Sequence, residues 1–252
     1  MVFLQIDERY TLLDLVESTK YISLWSAMDN KLHRRVMIKT IPPDDGKPVE
    51  EMVRKEAILY AKMTHPNILP VYDFQTEEND YPYIVVPYIP FRLNDLLESD
   101  AINISFALRL AQQLAGTIDY IHENAITHFD FTPKSVFLSE DYLPYLADFD
   151  TSLYGQNIKD GMVVGTPAYI APEVASGKVS YAEHNPMVDI YMFGIVLFEM
   201  FTGELPFDGD DINALLTQHV NETLPSCRSI SPELPIGLDI VLKKMCAKNP
   251  VD

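Results

Sequence analysis

Near Phe91 the hydrophobic pattern of this chain changes its period, and that change limits the fold more than any other feature. Residues 10–41 alternate apolar and polar side chains in short runs around a polar turn at Asp29-Asn30, as half-buried strands with a repeat of two do. Beyond Phe91, the residues Ala107, Leu110, Ala111, Leu114, Ile118 and Ile121 recur three or four apart, which places them on one helical stripe facing a core. Strands followed by helices predict an α+β chain of two units, 1–88 and 89–252. The prolines of Pro87-Tyr88-Ile89-Pro90 read as a hinge between them.

In the first unit, Val36-Met37-Ile38 leads into Lys39 on a predicted strand. After the turn Pro42-Pro43-Asp44-Asp45-Gly46, Pro48 suits the first turn of a helix, on which Met52, Glu56, Tyr60 and Met63 share one face. A carboxylate therefore stands on an apolar stripe. His65-Pro66-Asn67 ends that helix, and Tyr83-Ile84-Val85-Val86 reads as a buried strand. In the second unit, Val136–Leu138 and residues 143–147 flank the turn Ser139-Glu140-Asp141-Tyr142 as a short hairpin. Residues 149–172 lack a period and are expected to form a long surface loop. Residues 189–202, apolar nearly all round, predict a central helix covered by its neighbours.

Bulk properties exclude several functions. With 252 residues and 47% hydrophobic content the chain can bury a substantial core, and its formal charge of −18 repels a phosphate backbone. No basic patch is apparent, so nucleic acid is not an expected partner. Cys227 and Cys246 are the only cysteines and lack metal-ligand spacing, which points to a reducing, cytoplasmic location. Residues 1–10 carry Asp7, Glu8 and Arg9 instead of a signal-peptide core. The most apolar window, 192–201, falls far short of the roughly 20 residues that span a bilayer, so this segment is expected to make no membrane contact.

Three tripeptides carry the chemistry: His128-Phe129-Asp130, Asp148-Phe149-Asp150 and Ala171-Pro172-Glu173. In that order and spacing they resemble the catalytic loop, metal-binding turn and substrate-lobe anchor of eukaryotic-type protein kinases. Gly165-Thr166-Pro167, Asp189-Ile190-Tyr191-Met192-Phe193-Gly194 and Gly203-Glu204-Leu205-Pro206-Phe207 extend the resemblance over the whole chain, on the side of bacterial and eukaryotic Ser/Thr kinases. It implies a bilobal kinase fold: a small antiparallel-sheet lobe with one helix and a larger, mainly helical lobe. Relatives usually continue past Asn249-Pro250-Val251-Asp252 into an arginine and a final helix, so a piece truncated before that helix is expected.

The resemblance also implies roles. Lys39 matches the lysine that grips the inner phosphates of ATP, and Glu56 its helix partner; Asp130 matches the acceptor of the substrate hydroxyl's proton. Lys134, four residues beyond, stands where tyrosine-kinase relatives place a basic residue in lieu of the lysine here replaced by Thr132. Asp148 matches the metal ligand, with Ser135 at the position of the second metal's asparagine. Leu24, Met37, Val86, Ile89 and Phe137 correspond to the lining of the nucleotide cleft, and His128 to a histidine packed behind the loop. Asp130 can equally serve as a structural carboxylate that hydrogen-bonds the loop backbone.

Several positions depart from the family pattern. Glu17, Thr19 and Ile22 occupy the three glycine places of the phosphate-covering loop, where side chains crowd the backbone donors that close over phosphates. Glu17 also adds a charge of the wrong sign: at about 4 Å, unit charges repel by on the order of 4 kcal/mol at a surface-like dielectric. Met37 replaces a small alanine and Phe137 a leucine, which adds volume to an apolar slot. Ser135 is a short oxygen ligand, and Asp150 replaces the glycine after Asp148-Phe149. Phe129 replaces the arginine that docks an activation-loop phosphate, so phosphorylation of Thr151, Ser152 or Thr166 meets no guanidinium there.

These losses favour a pseudokinase, a signalling and scaffolding module for protein partners with weak or absent ATP binding and no resident cofactor. The alternative is a low-activity Ser/Thr protein kinase that uses ATP and Mg²⁺. The sequence assigns no oligomeric state.

Overall fold

The structure, a computed structural model, describes residues 5–18, 22–40, 49–76, 82–99, 102–155, 158–159, 161–209 and 211–250. Thr19, the turn at 42–46 and Pro48 lie outside them, as does the Met52 side chain. The chain forms two compact units, Met1–Pro90 and Phe91–Asp252.

The first unit is a six-stranded antiparallel sheet with one helix. Its strands are β1 (Gln5–Ile6), β2 (Tyr10–Ser18), β3 (Ser23–Asp29), β4 (Arg34–Thr40), β5 (Asp73–Gln75) and β6 (Tyr83–Pro87), in the spatial order β1-β2-β3-β4-β6-β5. The helix α1 (Val49–Lys62) falls between β4 and β5. Alternation sorts the side chains: Tyr10, Leu12, Ala27, Val36, Ile38 and Val85 form one buried cluster, with Trp25 packed against it. The sheet curls enough to bring its outer strands together. Arg9 donates to Asp29 (2.8 Å) from one arm of its guanidinium and to Asp73 on β5 (2.7 Å) from the other, while the Tyr10 hydroxyl also reaches Asp73 (3.3 Å). Fully buried Asp29 accepts from Lys31 N and Leu32 N as well, closing the turn at Asp29-Asn30.

The second unit opens with β7 (Phe91–Arg92) and α2 (Leu93–Glu98), then α3 (Ile104–Glu123), capped by the Asn103 side chain on Phe106 N. Ala107, Leu110, Leu114, Ile118 and Ile121 are buried as the helical spacing requires. A 3₁₀ turn at Pro133–Ser135 precedes the hairpin β8 (Val136–Leu138) and β9 (Pro144–Leu146), and β7 joins β8 to complete a three-stranded sheet. Contrary to expectation, residues 149–172 do not begin as irregular loop: α4 (Asp150–Tyr154) follows at once. Asp150 in its first turn complements the unpaired N–H groups and positive end of the helix, a local preference with no apolar periodicity to announce it.

After α5 (Pro172–Ala175) comes α6 (Pro186–Thr202), buried along nearly its whole circumference. It ends at Gly203, whose φ of 75° is the left-handed cap that only glycine adopts cheaply. Glu199, which with Asp189 is one of two carboxylates on this mostly apolar helix, accepts a 2.8 Å bond from the Tyr169 hydroxyl. Burial raises the pKa of Glu199 all the same, with the Tyr169 bond opposing it. The helices α7 (Ile212–Asn221) and α8 (Ile236–Met245) complete the unit. At Gly194 a Cβ would lie 2.6 Å from Cys246 Sγ, so the glycine allows the residues just after α8 to approach α6 closely. Cys227 and Cys246 are buried and free.

Candidate active site

In the first unit the strand register sets out the candidate residues in rows. Glu17 pairs with Leu24, Leu24 with Lys39, and Lys39 with Ile84; the next row runs Ser26, Met37, Val86. Directly opposed residues share a face, so Glu17, Leu24, Met37, Lys39 and Val86 all project from the side opposite the Val36–Ile38 core. The helix α1 meets this face through Glu56: Lys39 Nζ and Glu56 Oε1 are 2.8 Å apart, and both residues are buried. Two charges withdrawn from water this far cost several kcal/mol each unless they pair. Leu24, Met37, Val86 and Ile89 are all buried, Met37 to within 2%. The acidic side chain expected to oppose phosphate, Glu17, thus stands on the lysine's own face of the sheet.

In the second unit, a carboxylate from α6 organises the His128-Phe129-Asp130 segment. Asp189, fully buried, accepts Phe129 N on Oδ1 (2.8 Å) and His128 N on Oδ2 (2.8 Å), while His122 Nε2 lies 2.9 Å from Oδ2. These bonds stabilise an unusual backbone, since Phe129 has φ of 64°, a conformation that costs a non-glycine residue roughly 1–2 kcal/mol. His128 is also fully buried. Its Nε2 donates to Ala147 O (2.8 Å) and its Nδ1 accepts Asp130 N (3.3 Å), a pairing that sets its tautomer. The Phe149 ring lies 4.8 Å from the imidazole. His128 is therefore a packed, hydrogen-bonded strut behind the loop.

Asp130 is half-buried, and its Oδ1 accepts both Thr166 N (3.1 Å) and Thr166 Oγ1 (2.8 Å). The carboxylate thus holds the Gly165-Thr166-Pro167 segment as well as standing in its own loop. Gly165 at φ of 133° makes the turn into Thr166. Lys134 is exposed on the 3₁₀ turn. Ser135 is buried with its hydroxyl donated to Thr132 O (2.8 Å) and accepting Thr132 N (3.1 Å); its one proton is spent on the turn, which leaves a single lone pair for any ligand. Asp148 is half-buried at φ of 63°. Phe137 lies on β8 with the Arg92 guanidinium 4.6 Å above its ring, so its bulk has a packing role within this unit.

Glu173, from Ala171-Pro172-Glu173, is half-buried, and its buried Oε1 has no hydrogen-bond partner among the described residues. Burial accordingly raises its pKa.

The family profile described as the protein kinase domain matches residues 20–252. This chain belongs to the protein kinase domain family. Among curated proteins, it is 33% identical over 258 residues to the serine/threonine-protein kinase PksC of Streptomyces coelicolor, covering 96% of this chain and 46% of that protein. The serine/threonine-protein kinase PrkC of Bacillus subtilis is 30% identical over 253 residues (98% and 38%), and PknB of Mycolicibacterium smegmatis 31% identical over 261 (97% and 40%). The chain thus spans less than half the length of these relatives. No helix among its described residues is long and apolar enough to cross a membrane.

Kinase-domain membership gives the two carboxylates found here by geometry their context. Sequence reasoning named Asp130, but the partner that holds it, Thr166, was read only as part of a motif and a modifiable hydroxyl. For Asp189 the sequence offers a family motif and the start of a buried helix, but not its bonds to His128 N and Phe129 N. The available signal was an aspartate at the head of an otherwise apolar segment, because a charge buried there needs donors.

Proposed function

We propose that this chain is the catalytic domain of a Ser/Thr protein kinase, transferring the γ-phosphate of ATP to a protein hydroxyl. The observation that carries this reading is the formed 2.8 Å pair between Lys39 and Glu56, the arrangement phosphoryl transfer requires of these two positions. Its support is the kinship with serine/threonine-protein kinases over nearly the whole chain. Lys39 grips the inner phosphates. Asp130 accepts the hydroxyl proton, with Thr166 fixing the direction of its carboxylate. Asp148, with Ser135 as a minor ligand, would hold Mg²⁺, for which one protein carboxylate can suffice. The chemistry such an ion would supply is neutralisation of charge on the phosphate oxygens.

A second reading, a pseudokinase that signals to protein partners without turnover, is favoured by one observation: Glu17 projects from the face of the sheet that bears Lys39. Repulsion between its carboxylate and a phosphate would weaken nucleotide binding. The deciding experiment incubates the purified chain with labelled ATP, Mg²⁺ and a general protein substrate, beside Asp130→Ala. Phosphotransfer lost in the variant establishes the kinase. No transfer, together with no thermal shift on adding ATP and Mg²⁺, establishes the pseudokinase.

A further inference from the structure

The side chain that takes the arginine's place beside the catalytic aspartate, Phe129, is 3% exposed and packs its ring 5.3 Å from that of Tyr181. Tyr181 is itself 5% exposed. Its hydroxyl makes two bonds to one residue of the substrate loop, accepting Val164 N at 2.8 Å and donating to Val164 O at 2.9 Å. Two residues further on, Thr166 binds Asp130 through its N–H and its hydroxyl. A closed circuit results: Asp130 to Phe129 along the chain, Phe129 to Tyr181 by ring packing, Tyr181 to Val164 by paired hydrogen bonds, then Val164 through Gly165 and Thr166 back to Asp130. The start of the loop is gathered on the same residue, since a Cβ at Gly155 would collide with the Tyr181 backbone.

We propose that Tyr181 is a positioning residue for phosphoryl transfer, holding the 161–166 segment so that Thr166 stays on Asp130 and the protein-substrate site is ordered without loop phosphorylation. This rests on the reading of the chain as a kinase. The physical basis is the replacement of an ionic latch by an uncharged one: a guanidinium needs a phosphate to pull on, whereas an aromatic pair with two hydrogen bonds is complete as synthesised. A phenol with both its donor and acceptor used on one peptide unit also fixes that unit's orientation. Burial raises the Tyr181 pKa, with the Val164 backbone bond opposing it and the Asp130 carboxylate adding a smaller rise, so the hydroxyl proton needed for the bond to Val164 O is retained.

Tyr181→Phe keeps the ring and deletes only the hydroxyl. Amide hydrogen exchange on the unphosphorylated protein, followed through residues 161–166, is expected to speed up by about tenfold at Val164, while amides in α3 keep their protection. In steady-state assays the KM for a peptide substrate is expected to rise by about tenfold with the KM for ATP unchanged. A merely structural tyrosine would leave that split absent and lower protection throughout the unit. Unchanged exchange at Val164 overturns the latch, and faster exchange with unaltered peptide kinetics overturns its positioning role. If the parent protein transfers no phosphate, the kinase reading fails on its own, and the exchange result still decides whether Tyr181 orders the loop.

Discussion

Asp189→Asn replaces one oxygen by an NH₂ group at the point where three donors meet two acceptors, so its cost can be worked from the geometry. In the best case the amide oxygen keeps the Oδ2 position and continues to accept His128 N and His122 Nε2, at 2.8 and 2.9 Å in the parent. The NH₂ then faces Phe129 N, the partner at 2.8 Å of Oδ1, donor against donor. One buried N–H left unpaired costs about 1–3 kcal/mol, and changing the two surviving bonds from charge-assisted to neutral removes about 1 kcal/mol each. The sum is about 3–5 kcal/mol, taken from a site where Phe129 already holds φ of 64°. With a urea m value of about 2 kcal/mol/M, the midpoint of unfolding followed by far-UV circular dichroism should fall by about 2 M. Amide exchange at His128 and Phe129 should accelerate more than exchange within α6. A midpoint shift below about 0.3 M with protection at those two amides intact would refute the reasoning, because it would mean the buried carboxylate is not what fixes the loop.

Other outcomes follow from the same structure. Lys39→Met leaves the buried Glu56 carboxylate without its cation and should destabilise by about 3–5 kcal/mol, whereas Lys39→Met with Glu56→Leu should recover most of that; a urea double-mutant cycle reads the difference. Glu17→Gly removes a carboxylate from the lysine's face of the sheet and should tighten ATP binding by at least about tenfold, measurable by calorimetry. Arg9→Met should destabilise the first unit in a pH-dependent way. Hydrogen bonding to the Arg9 guanidinium holds Asp29 below the usual carboxylate range. The stabilisation is therefore fully present above the unfolded-state value of about 4 and fades as pH falls through the lower folded value. The gap between parent and variant stabilities should be constant from pH 7 to 5 and narrow towards pH 2; a gap independent of pH would rule out the Asp29 pairing as its source.

Much of the candidate site is legible in the sequence, because its parts announce themselves by local pattern. Val36-Met37-Ile38-Lys39 alternates as a strand must, Glu56 interrupts an apolar helix stripe, and the 107–121 spacing is helical; each is decided by neighbours within a few residues. The short helix α4 was not readable, since five residues carry too little periodicity and an aspartate suits a turn as well as a helix start. Asp148 and Phe129 gave no warning of positive φ, because neither is a glycine and the conformation is imposed from outside.

Chain order and hydrophobic period alone therefore determined the architecture: mostly strands with one helix before residue 90, mostly helices with a short hairpin after it, and the side chains that would have to be buried in each. The folded structure alone decided several long-range polar pairs. The pairs Asp189 with Phe129, Thr166 with Asp130, Tyr181 with Val164 and Arg9 with Asp73 join residues 60, 36, 17 and 64 positions apart. Hydrophobic burial is non-directional and leaves a repeating trace along the chain, whereas a hydrogen bond depends on angle and on a few tenths of an ångström, which no sequence period records.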